Sequence, residues 1–389
     1  MELYPEIVDI HDQMTVWRQD LHAYPETAFE EHRTSEFVAE KLAAFGVDEV
    51  VRGLARTGVV GIVRGRCGAG RAVGLRADID ALDISEQTNK SYASKNEGKM
   101  HACGHDGHTT MLLGAAKYLA ETRNFAGTVY LIFQPAEENE GGGRVMIEDG
   151  LFEKYPMEQV FGLHNWPGEA AGKFSMRTGP VMASYDIFDI TVEGHGAHGA
   201  MPHQGIDPIV AAAQIVTSLQ SIASRNVDPI ESIVVSVTQI HGGDAYNVIP
   251  ETVNLKGTVR AFKPAVQDLA EKRISEIASR IAEAHNARAH VRYERRYPST
   301  VNTPVETEVA ANVAAKVVGG ASVQTDVPPV MGSEDFAFML NEKPGSYVFL
   351  GCGEHVSNLH SPQYDFNDEI LPIGASYWAR LVEETLASG

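Results

Sequence analysis

The sequence has few cysteines, few clustered positive charges and no long apolar run. Its three cysteines, Cys67, Cys103 and Cys352, are odd in number and scattered, which argues against a disulfide framework and indicates a reducing compartment. Lys and Arg total 32 against 52 for Asp and Glu, and this net charge of −20 makes nucleic acid and anionic membranes poor partners. A bilayer-spanning helix would need ~20 consecutive apolar residues, which the chain lacks. We therefore expect a cytoplasmic protein that binds neither nucleic acid nor membrane.

A chain of 389 residues is long for one hydrophobic core, so we expect two domains. Hydrophobic residues make up 43% and charged residues 22%, the balance of an ordinary globular enzyme. The first residues lack the cationic head and apolar core of a signal peptide, and we expect an amphipathic helix of the mature protein there. Its apolar positions recur at three- and four-residue steps: Ile7, Ile10, Met14, Trp17 and Leu21.

The densest group of metal-binding residue types is the segment HACGHDGH, residues 101–108. It contains one thiol, one carboxylate and three imidazoles, and an apolar helical sequence follows it. Thiolate and imidazole ligands suit zinc-like ions, whereas carboxylates alone would suit calcium or magnesium. The alternative is a polar helix start, with Asp106 as a cap and the histidines solvated. Because Cys103 and His105 stand between two further histidines, we favour a metal site.

Three apolar, β-branched runs in the first half of the chain predict buried strands, and each is followed by polar residues of catalytic type. These strands alternate with helices, which predicts a mostly parallel sheet covered by helices, and ligands bind outside the carboxyl ends of such strands. The three runs therefore predict a shared crevice. The run 72–75 is followed by Asp78, the run 128–133 by Glu137 and Glu138, and the run 160–163 by His164.

Adjacent glutamates that leave a strand point in different directions, so Glu138 can bind a metal while Glu137 acts as a base toward a water molecule. The alternative is a solvated turn. His164 and His360 are each as compatible with a structural histidine as with a ligand. Taken with the ligand segment, however, they complete a set that suits two metal ions better than one tetrahedral ion. The set is Cys103, His105, Glu138, His164 and His360.

The middle of the chain has a different pattern, in the order β-α-β-β-α-β, with its first helix predicted over 206–224. This order is typical of a ferredoxin-like split βαβ unit. We therefore predict a catalytic domain from 1–182 and 297–389, with a second domain inserted at 183–296.

Eight segments in chain order carry a family resemblance: RADIDAL, HACGHDGH, QPAEE, HNWP, GHGAHGAMPHQGIDP, NVIP, MGSEDFAFM and NLHSP. They span about three quarters of the chain. Together they resemble the M20 metallopeptidase family. Within it, the amidohydrolase branch is the most similar, with its hippurate hydrolases, N-acyl-amino-acid amidohydrolases and indole-acetyl-amino-acid hydrolases.

The resemblance implies a zinc-peptidase-like catalytic domain with two divalent metal ions, such as Zn, Mn, Co or Ni. It implies the same five metal ligands, with Glu137 as the general base and Asp78 as the aspartate that orients a ligand. In the wider family a His-x-Asp pattern supplies a further ligand. Arg76 stands at that place here, which leaves Cys103 to compensate.

The resemblance also implies that the inserted domain is a lid and dimerisation domain. His198 then stabilises the oxyanion in the active site of a partner subunit, although His198 alone would indicate only a flexible polar loop. Asn247 and Arg260 are implied as substrate contacts. Gly332 and Ser333 belong to a loop that lines the substrate pocket, and the same loop also suits a helix cap. We expect a homodimer or higher oligomer through the lid.

These observations predict a metal-dependent amidohydrolase that cleaves an N-acyl amino acid to a carboxylic acid and a free amino acid. One alternative is a dipeptidase or carboxypeptidase with the same fold, although the Cys-Gly-His form of the ligand segment favours an acyl substrate. The other alternative is a catalytically silent binding protein, against which the intact base and ligand set argue. The acyl group and the amino acid are not predicted.

Overall fold

The computed structural model describes residues 1–387. Residues 388 and 389, the end of the predicted segment 297–389, lie outside the described residues. The chain divides into two compact units. Unit 1 comprises Met1–Val181, Val301–Pro328 and the described residues from Asp335 onward, and unit 2 comprises Met182–Thr300 and Pro329–Glu334. The predicted boundaries and the role of the inserted segment as a lid stay predictions.

The α-helices of the described chain are short to medium in length. They are α1 (Pro5–Val8), α2 (His11–Ala23), α3 (His32–Phe45), α4 (His105–Thr122), α5 (Gly142–Glu148), α6 (Leu151–Lys154), α7 (Pro208–Ser221), α8 (Pro264–Ala284), α9 (Pro304–Val318), α10 (Phe336–Glu342) and α11 (Leu371–Thr385). Among residues 1–387, none of them has the length and apolar character that crossing a membrane requires.

The β-strands fall into one large sheet, one smaller sheet and short pairs. They are β1 (Glu49–Leu54), β2 (Gly58–Arg64), β3 (Ala72–Asp78), β4 (Thr128–Gln134), β5 (Gln159–Pro167), β6 (Phe174–Ser175), β7 (Gly179–Met182), β8 (Tyr185–Glu193), β9 (Ala197–His198), β10 (Ile233–His241), β11 (Val248–Ile249), β12 (Thr252–Ala261), β13 (Arg288–Tyr297), β14 (Thr300–Asn302), β15 (Val323–Gln324) and β16 (Gly345–Gly353).

The large sheet of unit 1 has the order β1-β2-β4-β3-β5-β16-β6-β15. Its four central strands, β4, β3, β5 and β16, run parallel, and β1 and β2 are antiparallel additions at one side. The central strands are buried almost throughout, as expected for strands covered on both faces. Helices α4 and α9 pack on this sheet, and α2, α3 and α11 join the same core. The predicted α/β fold is confirmed.

Unit 2 contains a four-stranded antiparallel sheet of order β10-β12-β8-β13. Strands β8 and β12 alternate between buried and more exposed positions, because one face of the sheet packs against α7 and α8 in a separate core. The chain order of these elements is the β-α-β-β-α-β order that the sequence predicts, and the sheet order is that of a ferredoxin-like unit.

Several predicted element boundaries are wrong in detail. The first helix is broken at Ile10 (φ −101°, ψ 13°) into α1 and α2, although Ile7 and Met14 reach the same core. The strand predicted over 160–163 continues to Pro167, so His164 lies within β5. The helix predicted over 206–224 begins at Pro208, because the Asp207 side chain caps it by accepting from the Ile209 N–H, and it ends as a π-helical turn, Ile222–Asn226.

Candidate metal centre

Parallel strands bring polar residues to one edge of the large sheet. Strand β3 lies between β4 and β5, and Asp78 stands opposite Gln134 in the β3–β4 register. On the other side Arg76 stands opposite Gly162, two residues before His164. The chain passes from β3 to β4 on one side of β3 and then from β4 to β5 on the other side, so the strand order reverses at β3. Such a reversal creates the crevice in which α/β sheets bind ligands.

A glycine sets the turn that delivers the ligand segment to this crevice. Gly104 has φ +91°, and a Cβ atom there would lie 2.3 Å from Asn165 Oδ1 and 2.9 Å from Tyr364 Oη. Glycine is therefore required at this position. Helix α4 begins at the next residue, His105, so Cys103 and His105 flank the turn and both side chains are buried.

The five predicted ligand side chains lie together in unit 1. Cys103 Sγ is 3.4 Å from His164 Nε2, and ligand atoms of these two residues and of His105 lie within 4.8 Å of one another. His360 Nε2 is 3.4 Å from Glu138 Oε1, and both residues form a similar group with Cys103. The His360 N–H donates to the Ala102 carbonyl at 2.8 Å, which ties the C-terminal ligand to the HACGHDGH segment.

The residues present fit a metal centre. Among the described residues, His105 Nε2 and Glu138 Oε1 are buried without a hydrogen-bond partner, and these two atoms lie 3.8 Å apart. Buried polar atoms without partners are rare, and both atoms are ordinary ligands of a divalent cation. Burial and the carboxylates of Glu138, Glu137 and Asp78 raise the pKa of the Cys103 thiol. A bound cation reverses this effect, because a coordinating thiol is deprotonated. The sulfur and imidazole donors favour zinc-like ions.

Carboxylates behind the ligands orient them and concentrate negative charge. Asp80 Oδ1 lies 3.2 Å from His105 Nδ1, and Asp80 Oδ2 accepts from the Glu138 N–H at 3.0 Å. Burial lowers the pKa of His105, but Asp78, Asp80 and Glu138 outweigh that effect and raise it to about 10. This imidazole therefore faces an environment that attracts positive charge.

Asp78, the predicted orienting residue, has a different direct partner. Its Oδ1 lies 2.6 Å from His108 Nδ1, and its Oδ2 lies 3.8 Å from His105 Nε2. His108 Nε2 lies 2.6 Å from Asn165 Oδ1, and Asn165 donates to Tyr364 Oη at 2.7 Å. The carboxylate that accepts from the ring of the ligand His105 is thus Asp80, while Asp78 holds the neighbouring His108.

Glu137 is buried beside the metal-ligand group. Its hydrogen-bond partner, Asp335, is held by a network of charged side chains. Glu137 Oε1 accepts from the Asp335 N–H at 3.4 Å. The Arg76 guanidinium donates to Asp335 at 3.0 Å, to Asp78 at 2.7 Å and to Gln134 at 2.8 Å. Arg76 offers no lone pair, so at the place of the wider family's histidine ligand it supplies hydrogen-bond donors instead.

The remaining predicted residues lie in unit 2. His198 is exposed on β9, which pairs with β11 beside Asn247, and the Gly199 N–H donates to the Asn247 carbonyl at 2.7 Å. The Ala200 N–H donates to His198 Nδ1 at 3.0 Å. In a neutral imidazole the proton is then on Nε2, which leaves that nitrogen as a donor.

Arg260 and the 332–333 loop occupy other positions of unit 2. The half-buried Arg260 guanidinium lies 4.2 Å above the Tyr185 ring. The Gly332 carbonyl accepts from the Ala183 N–H at 2.9 Å, and Ser333 is half-buried. The helix-cap alternative for this loop is only partly right, because Asp335 precedes α10 but makes no side-chain cap.

Sequence reasoning did not assign roles to Asp80, His108, Asn165 or Asp335, although each lies in a quoted motif. Asp80 carries the clearest signal. It stands two positions after Asp78 at the end of a strand, and residues two apart in a strand point to the same side. His108 has only its place in the HACGHDGH segment as a signal, and Asn165 and Asp335 show no pattern that separates them from ordinary loop or helix residues.

Known proteins resemble this chain over nearly its whole length. The hippurate hydrolase of Campylobacter jejuni is 44% identical over 98% of each chain. The N-acetyl-L-cysteine deacetylase of Bacillus subtilis is 41% identical over 95% of this chain and 87% of its own.

A solved structure shows the same fold. It is a Bacillus subtilis protein named as a dinuclear metal-binding peptidase of the M20 family, 34% identical, which covers 97% of this chain and 99% of its own with a TM-score of 0.84. The family signature of peptidase family M20/M25/M40 matches residues 74–384. The chain therefore belongs to peptidase family M20/M25/M40.

Proposed function

We propose that the protein hydrolyses the amide bond of N-acyl amino acids, as a metal-dependent amidohydrolase with two divalent ions. The observation that carries this proposal is the group of one sulfur, three imidazole and one carboxylate donors beside the buried Glu137, in which Cys103, His105 and His164 are buried, Glu138 is half-buried and His360 is exposed. The names of the relatives support the substrate class, because they act on N-benzoyl or N-acetyl amino acids. The bound ions would polarise the acyl carbonyl and lower the pKa of a water molecule.

Glu137 is the proton carrier in this proposal. Its carboxylate takes the proton of the attacking water and then gives it to the leaving nitrogen, so the products are a carboxylic acid and a free amine. Its buried position supports the role, because proton transfer requires a base held at a fixed place. The Asp335 N–H at Glu137 Oε1 restricts the orientation of the carboxylate. Cys103, His105, Glu138, His164 and His360 would hold the metal ions.

His198 is proposed to donate from Nε2 to the oxyanion of the tetrahedral intermediate. The bond from the Ala200 N–H to Nδ1 supports this role, because it selects the tautomer with a free Nε2–H. An exposed donor surrounded by water gives little stabilisation, so we propose that it acts in the active site of a second copy. Asn247, Arg260, Gly332 and Ser333 are proposed to contact the substrate, with Arg260 as the partner of its carboxylate.

We propose that the second copy pairs through β10 of unit 2. The two edges of the unit 2 sheet differ: β13 has the sequence RAHVRYERRY, whereas β10 has the sequence IVVSVTQIH with no Lys, Arg, Asp or Glu. Charged residues protect an edge strand from pairing, and an uncharged edge invites it. Exposed apolar side chains accompany this edge, with Ile240 58% and Ile209 46% exposed. Ile209 lies in the first turn of α7 of the same unit.

Light scattering tests the assembly. We expect a dimer for the natural sequence and dissociation for Ile240→Lys, with His290→Lys on β13 as the matched control. A monomeric natural protein with full activity would contradict both the dimer and the action of His198 on a partner.

We also propose a cytoplasmic location, because a thiolate ligand requires a compartment that keeps Cys103 reduced.

Substrate panels test the function. Metal-stripped protein is refilled with zinc, manganese, cobalt or nickel and assayed on N-benzoylglycine, N-acetyl amino acids and dipeptides. We expect kcat/KM for at least one N-acyl amino acid to exceed that for any dipeptide by about tenfold or more. A preference for dipeptides would favour the peptidase alternative, and metal binding without any turnover would favour the silent binding protein.

A further inference from the structure

A fully buried glutamate of unit 1 has no part in the proposed reaction. Glu31 has 0% exposure and lies just before α3. Its Oε2 accepts from Thr57 Oγ1 at 2.6 Å, and its Oε1 accepts from the Ala136 N–H at 3.0 Å. Buried carboxylates are rare without a role or a cation, so the contact with Ala136 calls for an explanation.

Ala136 has a strained backbone directly before Glu137 and Glu138. Its φ of +55° lies in the left-handed region, which residues with a Cβ atom adopt only when surrounding contacts hold them there. The Gly142 N–H donates to the Ala136 carbonyl at 3.0 Å, so this residue is held on both of its peptide sides. The direction in which the two glutamates leave β4 therefore depends on this conformation.

A second carboxylate holds the other side of Glu137. The Glu138 N–H donates to Asp80 Oδ2 at 3.0 Å, and the Ala136 N–H donates to Glu31. The N–H groups of the residues before and after Glu137, Ala136 and Glu138, thus each have a carboxylate acceptor. Two anchors on alternate residues fix the backbone from which the Glu137 side chain projects.

We propose that Glu31 is a positioning residue that aims Glu137 and Glu138 by holding the Ala136 N–H. The inference rests on the proposed function, in which Glu137 carries the proton and Glu138 is a metal ligand. Glu31 touches neither substrate nor metal in this account. Its effect is on the rate at which bound substrate reacts and not on substrate affinity.

Two variants of Glu31 separate positioning from simple packing. Glu31→Met fills a similar volume but accepts no hydrogen bond, and Glu31→Gln can accept from the Ala136 N–H while donating to Thr57. The matched control is Glu306→Ala, which removes another buried carboxylate of unit 1, bonded to Gln159 and Thr303. Each protein is loaded with metal, and kcat and KM are measured on N-benzoylglycine together with hydrogen exchange of residues 134–140.

We expect Glu31→Met to lower kcat by about 10- to 100-fold with KM within about threefold, and to speed exchange in residues 134–140. Glu31→Gln should stay within about threefold of the natural kcat and exchange rate, and Glu306→Ala should change neither. A natural kcat in Glu31→Met, or an equal loss in Glu31→Gln or in Glu306→Ala, would overturn the proposal. If the natural protein turns over none of the N-acyl amino acids of the panel, the proposed function fails, and unchanged exchange in Glu31→Met would then overturn the positioning role independently.

Discussion

The two units of the chain hold most of their candidate functional side chains in different environments, with His360 as the exposed member of the ligand set in unit 1. In unit 1, His105 is 1% exposed and Cys103 7% exposed, and hydrogen bonds to carboxylates fix the atoms around them. In unit 2, His198 is exposed on β9, and Asn247 is exposed directly before β11, the strand that pairs with β9. Buried charges act strongly on one another, whereas exposed groups are screened by water. Unit 1 can therefore build a metal centre from its own residues, while the residues of unit 2 gain effect only when another surface covers them.

The largest expected effect on metal affinity comes from removing the sulfur ligand of unit 1. Cys103→Ala should lower metal affinity by about 100-fold or more and turnover by at least a similar factor, because the donor set then loses one buried anionic ligand. Metal content after dialysis and kcat measure the two losses. Cys67→Ala is the control, since Cys67 is an exposed free thiol. Full metal occupancy in Cys103→Ala would show that the thiol is not a ligand.

The next prediction tests the exposed residues of unit 2. His198→Ala should lower kcat by ~10² to 10³ without changing metal content, because it removes one donor to the oxyanion. His203→Ala, in the same exposed loop, should leave kcat unchanged.

Mixing inactive variants shows whether His198 serves a partner. A 1:1 mixture of refolded Glu137→Gln and His198→Ala subunits contains hybrids in which one site has both natural residues, so about a quarter of the natural activity should return. No recovery, with hybrids shown to form, would mean that His198 acts within its own subunit or not at all.

A smaller effect is expected from the hydrogen bonds behind the ligands. Asp80→Asn should lower metal affinity about 10- to 100-fold, because Asp80 contacts both the His105 ring and the Glu138 N–H. The exposed Asp83→Asn provides a neighbouring control. Equal metal affinity in both variants would show that Asp80 does not support the ligands His105 and Glu138.

The smallest expected effect concerns stability in unit 1. Burial lowers the pKa of His22, but hydrogen bonds to Asp106 and Glu86 outweigh it and raise the pKa to about 9. The folded pKa exceeds the unfolded value of about 6.5, so this contribution is complete below pH 6.5 and is lost as the pH rises through 9. The loss should be on the order of 1–3 kcal/mol in the free energy of unfolding. Urea titrations from pH 6 to 10 should show a shallower decline for His22→Gln, and parallel declines would contradict the assignment.

Much of the fold and of the ligand set could be predicted from the sequence because their signals are local. The buried strands appear as apolar runs, and the ligand segment concentrates unusual residue types in eight positions. Strand β1 escaped prediction because its sequence, EVVRGL, mixes polar and apolar residues at a sheet edge. Asp335 and Glu31 escaped because their partners are distant in the chain, and only the folded backbone brings Arg76 and Ala136 to them.

The most direct test of the metal-dependent mechanism is the Glu137→Gln variant, measured for metal content and turnover in the same sample. We expect a natural metal stoichiometry, because Glu137 is not among the proposed ligands, together with a loss of kcat of about 10³-fold or more. A variant that binds the natural amount of metal and keeps a kcat close to that of the natural protein would contradict the central claim that this buried carboxylate carries the proton.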